Sequence, residues 1–233
     1  SKEGLIDNLE KSSKSLKAMK KNCFRLLRLV NNLIDITRID AGYLELQMQP
    51  LNIIELIEET TLSVVEYARN KGITLQFDTE VEEKVINCDP EKIETIILNL
   101  LSNAIKFTKQ GGNIFVKVYN RENSIVISIK DTGIGIPKNK HKLIFERFRQ
   151  VEQSLVRSHE GSGIGLSLVK SLVEMHEGKI HVESEEGLGS EFIIELPIKE
   201  LPAGKIGQTG YTYDINNNID KVNIEFSDIS LPN

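Results

Sequence analysis

The chain has 233 residues, of which 39% are hydrophobic and 27% charged, and its net charge is −5. That is an ordinary globular balance, enough for one large domain or a compact domain with appendages. It offers no overall basic field for nucleic acid or an anionic membrane, and its apolar runs fall far short of a membrane span. Cys23 and Cys88 are the only cysteines. They lack disulfide or metal spacing, so they read as reduced packing thiols and point to a cytoplasmic setting. No signal-peptide pattern is read at the start of the given sequence. The start at Ser1 suggests an excised piece, whose parent protein could be membrane-anchored.

From Leu5 to about Leu46 the pattern is helical. Leu16, Met19, Cys23, Leu26, Val30, Leu33 and Thr37 alternate spacings of three and four, which is an a/d seam. Leu27, Ile34 and Ile36 widen it toward a helical bundle, and Arg25, Arg28, Asn31, Asn32, Asp35 and Arg38 form the polar face. A long helix packed on its own domain fits this pattern, as does half of a helical hairpin that buries its seam by dimerising. The second is favoured, because no earlier element is available to cover the stripe.

Pro50 closes that region, and Asn52, with Glu55 three residues on, predicts a capped helix to about Asn70, ended by Gly72. Ile73–Phe77 alternates as a strand. Asp89-Pro90 is a cap with proline at the first helical position, opening a helix to about Thr108. Strands follow at 114–119 and 125–130. A long irregular stretch, 131–162, carries a short helical pattern near 140–148, and loops of this length are uncommon unless functional. A helix is predicted over 163–175 and a hairpin over 179–184 and 190–197. The tail, 200–233, reads as loose, with an edge strand possible over 222–229 from the alternation of Val222, Ile224 and Phe226.

Three clusters stand out. In the helix after Asp89, Asn99, Asn103 and Lys106 share one narrow stripe of an otherwise heavily apolar sequence. Taken alone this is a surface stripe or a ligand site, since an amide oxygen can ligate Mg²⁺ and a lysine can neutralise phosphate. The run Asp131-Thr-Gly133-Ile-Gly135 leaves a strand and sets a carboxylate beside unobstructed backbone. The run Gly161-Ser-Gly163-Ile-Gly165-Leu166 enters a helix, where backbone N–H groups face a possible phosphate chain. It is neither a Walker loop nor a dinucleotide fingerprint. Between the last two lies Ile144-Phe-Glu-Arg147-Phe148-Arg149-Gln150, which is either a short packed helix or a lid.

Each cluster is modest alone, but their order resembles the N, G1, F and G2 boxes of sensor histidine kinases. These belong to the GHKL superfamily, with gyrase and mismatch-repair ATPases. Arg25 to Asp35 likewise resembles the second dimerisation helix of those kinases. The resemblance spans roughly residues 16–197. It implies an α/β, Bergerat-type fold: a two-layer sandwich with a mixed sheet and helices on one face, over about 50–199, preceded by a long dimerisation helix over 1–46.

It also implies roles. Asn103 would ligate the Mg²⁺ bridging the ATP phosphates, Asn99 would support that site catalytically, and Lys106 would contact phosphate. Asp131 would accept from the adenine amino group, with Gly133 and Gly135 allowing close approach. Gly161, Gly163, Gly165 and Leu166 would line the phosphate side of a lid anchored by Phe148. Arg147 or Arg149 would replace an arginine that many family members carry where Gln150 stands. The implied partners are ATP, the histidine-bearing dimerisation helix, a response-regulator receiver domain and a second copy of the parent protein.

None of the four histidines, His141, His159, His176 and His181, has the sequence context of the phosphorylated one. The piece is therefore expected not to phosphorylate itself. Two other functions compete with kinase activity, an ATP-hydrolysing conformational machine and a nucleotide-binding scaffold. Hydrolytic relatives place a glutamate base where this chain has Asn99, and an amide cannot accept that proton.

Overall fold

The computed structural model describes residues 2–148, 163–198 and 215–229. Helix α1, Lys2–Asp40, leads through a turn at Gly42 into strand β1, Gln49–Asn52. Then come α2, Ile53–Leu62, α3, Val65–Asn70, β2, Thr74–Thr79, β3, Val85–Cys88, and α4, Pro90–Phe107. Strands β4, Asn113–Asn120, and β5, Ser124–Asp131, precede two short 3₁₀ turns at Lys138–Lys140 and Leu143–Phe145. Helix α5, Gly165–Met175, the hairpin β6, Lys179–Glu185, with β7, Gly189–Pro197, and helix α6, Ile215–Glu225, complete the order.

The main sheet runs β2-β4-β5-β7-β6. Only β2 and β4 pair in parallel, and the other neighbours are antiparallel, so the sheet is mixed as expected. Alternation along the strands decides which face is covered: Ile114, Val116, Val118, Ile125, Ile127, Ile129, Ile194 and Leu196 are all buried. They join one core with Ile93, Ile96, Ile97, Leu100, Leu101 and Ile105 of α4 and Leu168, Val169, Leu172 and Val173 of α5. The opposite face carries polar pairs such as Ser128 Oγ donating to Glu191 Oε1 at 2.6 Å.

Several elements differ from their sequence-based expectations. The helix expected from Asn52 to Asn70 breaks after Leu62 into α2 and α3. Asn52 sits at the N-cap but makes no capping bond, because its side chain accepts from Lys84 N–H at 3.1 Å and so joins β1 to β3. Asp89 does cap α4, accepting from Lys92 N–H at 3.1 Å. The expected edge strand over 222–229 is a correction: α6 is a helix running to Glu225, followed by a turn. Val222, Phe226 and Ile229, the buried apolar residues there, recur at helical spacing, and the alternation through Ile224 was incidental.

On helix α1 Arg28, Asn32 and Ile36 are buried, while Leu16, Met19, Leu26, Leu27, Val30, Leu33 and Ile34 stay exposed. Cys23 is exposed with that seam, whereas Cys88 is buried and its thiol is pushed up to about 12 by burial and by Asp89. Among the described residues, no helix is long and apolar enough to cross a membrane.

Candidate nucleotide site

Asp89 fixes the start of α4 from three directions. Beyond its cap bond, its second oxygen accepts from Gln47 N–H at 2.8 Å, and its own N–H donates to His176 Nε2 at 3.1 Å. The other nitrogen of His176, Nδ1, lies 2.8 Å from Leu172 O in α5. This histidine therefore ties α5 to α4, a structural role with no signal in the local sequence.

Ten residues on, nearly three turns into α4, Asn99 is wholly buried, and neither its amide oxygen nor its nitrogen has a hydrogen-bond partner among the described residues. Leaving such a group unpaired costs about 1–3 kcal/mol. Facing it is Gly165, the first residue of α5, where an added Cβ would stand 2.3 Å from Asn99 Oδ1. The N-cap residue of α5, Ile164, makes no side-chain cap bond, and a helix N-terminus of this kind suits an anionic ligand. Asn103 is half-buried on the same stripe, and Lys106 is buried with its ammonium 5.5 Å from the centre of the Phe107 ring.

Asp131 ends β5 in a buried position. Burial pushes its carboxyl up to about 6, with the backbone N–H groups of Gly133 and Ser190 pulling the other way. Gly133 N–H donates to Asp131 Oδ1 at 2.7 Å, and a Cβ there would meet that oxygen and Phe107 O, both at 2.6 Å. Gly135 has φ 66°, and its Cβ would lie 1.9 Å from Glu185 O. Both glycines are therefore required by backbone contact before any ligand is considered.

The β6–β7 hairpin backs this loop, with Ser184 Oγ accepting from Ile136 N–H at 2.8 Å and Gly187 N–H donating to Ile134 O at 2.7 Å. The sequence pattern predicts a hairpin here, over 179–184 and 190–197, with no part in the site for its turn. Because Ile134 N–H reaches Phe107 O at 3.3 Å, the carboxylate end of the site sits at the C-terminus of α4. Asn99 lies eight residues back, about 12 Å along the helix.

The segment between the glycine clusters is arranged differently from expectation. Phe145, not Phe148, is packed against the core, edge-on to Phe192 with ring centres 6.4 Å apart. Phe148 is 68% exposed, with φ 58°, and its N–H donates to Gly163 O at 3.0 Å. Arg147, expected to face phosphate, makes a two-pronged contact with Asp40 at the end of α1. The hydrogen bond from Arg147 holds the Asp40 carboxyl below its ordinary range. Leu166 is half-buried against the core, while Gly161, Arg149 and Gln150 lie outside the described residues.

Residues 88–200 match the family described as histidine kinase-, DNA gyrase B- and HSP90-like ATPase. The circadian input-output histidine kinase CikA of Synechococcus elongatus is 35% identical over 212 residues, a match covering 84% of this chain. The chain carries the catalytic ATP-binding domain of a sensor histidine kinase. Among solved structures, ShkA in complex with AMPPNP superposes with a TM-score of 0.71 at 28% identity, over 83% of this chain. The histidine kinase ThkA in complex with the response regulator TrrA gives 0.58 at 26% identity, over 73% of this chain and 48% of that one. This kinase domain with its long helix spans 28% of the length of CikA and 40% of the ShkA chain.

Proposed function

We propose that the chain binds Mg-ATP between α4 and α5 and delivers the γ-phosphate to a histidine on a separate dimerisation helix. The parent protein would act as a homodimeric two-component sensor kinase that passes the phosphate to a response-regulator receiver domain. The observation that carries this reading is the Asn99 amide, fully buried against Gly165 at the start of α5 and without a hydrogen-bond partner among the described residues. A polar group kept in that state at a cost to the fold is placed for a ligand.

The residues present fit a nucleotide and a hard cation. Asp131 would accept from the adenine amino group at one end, with Gly133 and Gly135 letting the loop beside it pack against Phe107 and Glu185. At the other end Asn103 would hold Mg²⁺ by its amide oxygen, with Asn99 beside it, Lys106 toward the phosphates, and Gly163, Gly165 and Leu166 presenting backbone N–H groups. Bound magnesium supplies neutralisation of phosphate charge. Transfer of this kind depends on positioning and electrostatics rather than on a covalent protein nucleophile. Asn99 lacks the basicity to activate water, which favours transfer to histidine over hydrolysis. Helix α1 would serve as the second dimerisation helix, its exposed seam pairing with the histidine-bearing helix.

The test is a fluorescent ATP analogue titrated with and without Mg²⁺. Binding should require the metal, and Asn103→Ala should abolish that dependence. Equal, metal-dependent binding by both proteins would remove the metal assignment.

A further inference from the structure

Helix α6 is attached to its two neighbours by different chemistry. Toward the catalytic domain an aromatic contact is joined by hydrogen bonds and one ion pair: Phe226 is 2% exposed, its ring centre 4.8 Å from that of Tyr67 in α3. Val222 and Ile229 are buried with it. Tyr67 Oη donates to Asn223 Oδ1 at 2.8 Å, Ser102 Oγ of α4 donates to Glu225 O at 3.1 Å, and Lys221 Nζ meets the buried Glu94 carboxylate at 2.6 Å. Toward α1 the contact is charge: Arg28 reaches Glu225 at 2.6 Å and Asp228 at 3.1 Å, and Arg25 reaches Asp228 at 3.2 Å.

A buried ion-pair cluster gives back in attraction little more than its desolvation cost, whereas loss of one partner leaves an unsupported charge. The side of α6 facing α1 is thus the separable one. Beyond it, α1 touches the domain near its C-terminus, where Ile36 is buried, Lys92 meets Asp35 at 3.6 Å and Arg147 holds Asp40. Next comes Gly42, with φ 69°, in a turn closed by its N–H donating to Ile39 O at 3.0 Å. Arg25 stands eleven residues before Ile36, about 16 Å up the helix.

We propose that α6 is a latch: a fixed part of the catalytic domain whose Glu225 and Asp228 grip Arg25 and Arg28, holding α1 against the domain in a resting arrangement. The exposed seam of α1, with Leu26, Val30 and Leu33, faces away from the domain, so a helix seated on that seam lies across the width of α1 from the ATP-binding domain. Release of the latch leaves α1 held only near Asp35, Ile36 and Asp40, so that these contacts become the pivot on which the domain tilts relative to the rest of α1. The proposal rests on the kinase reading for its consequence but not for the latch itself.

The experiment uses the full chain with Glu225→Gln and Asp228→Asn together, which keeps shape and the Phe226 contact while removing both charges. Two probes are read. The first is the distance distribution between spin labels on Lys14→Cys and Glu122→Cys in a Cys23→Ser background, with labelled chains diluted in unlabelled ones. The Cys88 thiol is buried and stays unlabelled. One narrow distance is expected with the latch intact and a broad distribution with it neutralised; the same narrow distance in both overturns the latch.

The second probe is phosphate transfer from ATP to an added histidine-bearing dimerisation helix, expected to rise at least threefold in the neutralised protein with nucleotide affinity unchanged. Transfer that is equal or slower overturns the resting-state role. If neither protein transfers, the kinase reading fails and the distance measurement alone decides the latch.

Discussion

Gly165 and Asn99 meet so closely that a Cβ on the glycine would fall 2.3 Å from the asparagine oxygen. The start of α5 can approach the buried amide of α4 only because residue 165 has no side chain. This one contact joins the N-box helix to the glycine-rich entry of α5, and it is the centre of the proposed site.

Replacing Gly165 with alanine should therefore push the two helices apart. Overpacking of this kind costs about 1–3 kcal/mol. Thermal unfolding should show that loss, and nucleotide affinity should fall at least tenfold. A protein that unfolds earlier yet binds nucleotide unchanged would separate the contact from the site.

Asn99→Ala should behave in the opposite sense. It removes two buried, unsatisfied atoms and leaves a small cavity, so fold stability should stay within about 1 kcal/mol of the parent. Phosphate transfer should nevertheless drop by two orders of magnitude or more. Unimpaired transfer would mean that the amide is a packing accident.

Asp131 predicts a pH dependence. Its folded pKa of about 6 lies above the ordinary 3.8, so the folded state holds a proton that the unfolded state has lost. Its contribution to stability is present below the unfolded value and is lost as pH rises through about 6. Asp131→Asn should consequently raise the melting temperature at pH 7 while weakening ATP binding, since the amide can turn a donor toward the adenine amine. In the parent protein, ATP affinity should decline as pH falls below about 6, when the carboxylate acceptor is protonated. A flat affinity profile between pH 5 and pH 8 would count against the adenine contact.

Asn99→Glu asks why the chain reads as a kinase and not as a hydrolase. A carboxylate at this place supplies a base for water, so steady-state ATP hydrolysis should rise several-fold above the parent level. Comparable rates in the two proteins, with nucleotide binding intact, would undercut the use of Asn99 to choose between them.

Much of this was legible because local chemistry and tertiary role coincide. Asp89-Pro90 predicted the start of α4, and the same helix's stripe located Asn99, Asn103 and Lys106. Asp131 and its glycines sit where a strand end meets a turn, a pattern visible in sequence. What stayed hidden depends on distant partners. Asn52 looks like a cap, but its amide is taken by Lys84 across the small sheet. Arg147 reads as a phosphate ligand, yet Asp40, more than a hundred residues earlier, holds it. The inward turn of Arg28 could not be inferred without α6, where the sequence offered a loose tail with a possible edge strand because Val222, Ile224 and Phe226 fit period two as well as a helix.

The central claim, an ATP site that serves a histidine elsewhere, is tested most directly by one measurement. The chain is incubated with Mg²⁺ and radiolabelled ATP, alone and with a protein carrying the histidine-bearing dimerisation helix, and acid-labile phosphate is counted on each. The account predicts none on this chain alone and phosphohistidine on the added helix, lost when Asn103 is alanine. Acid-stable or absent label on a correctly folded helix, or label on this chain by itself, would contradict it.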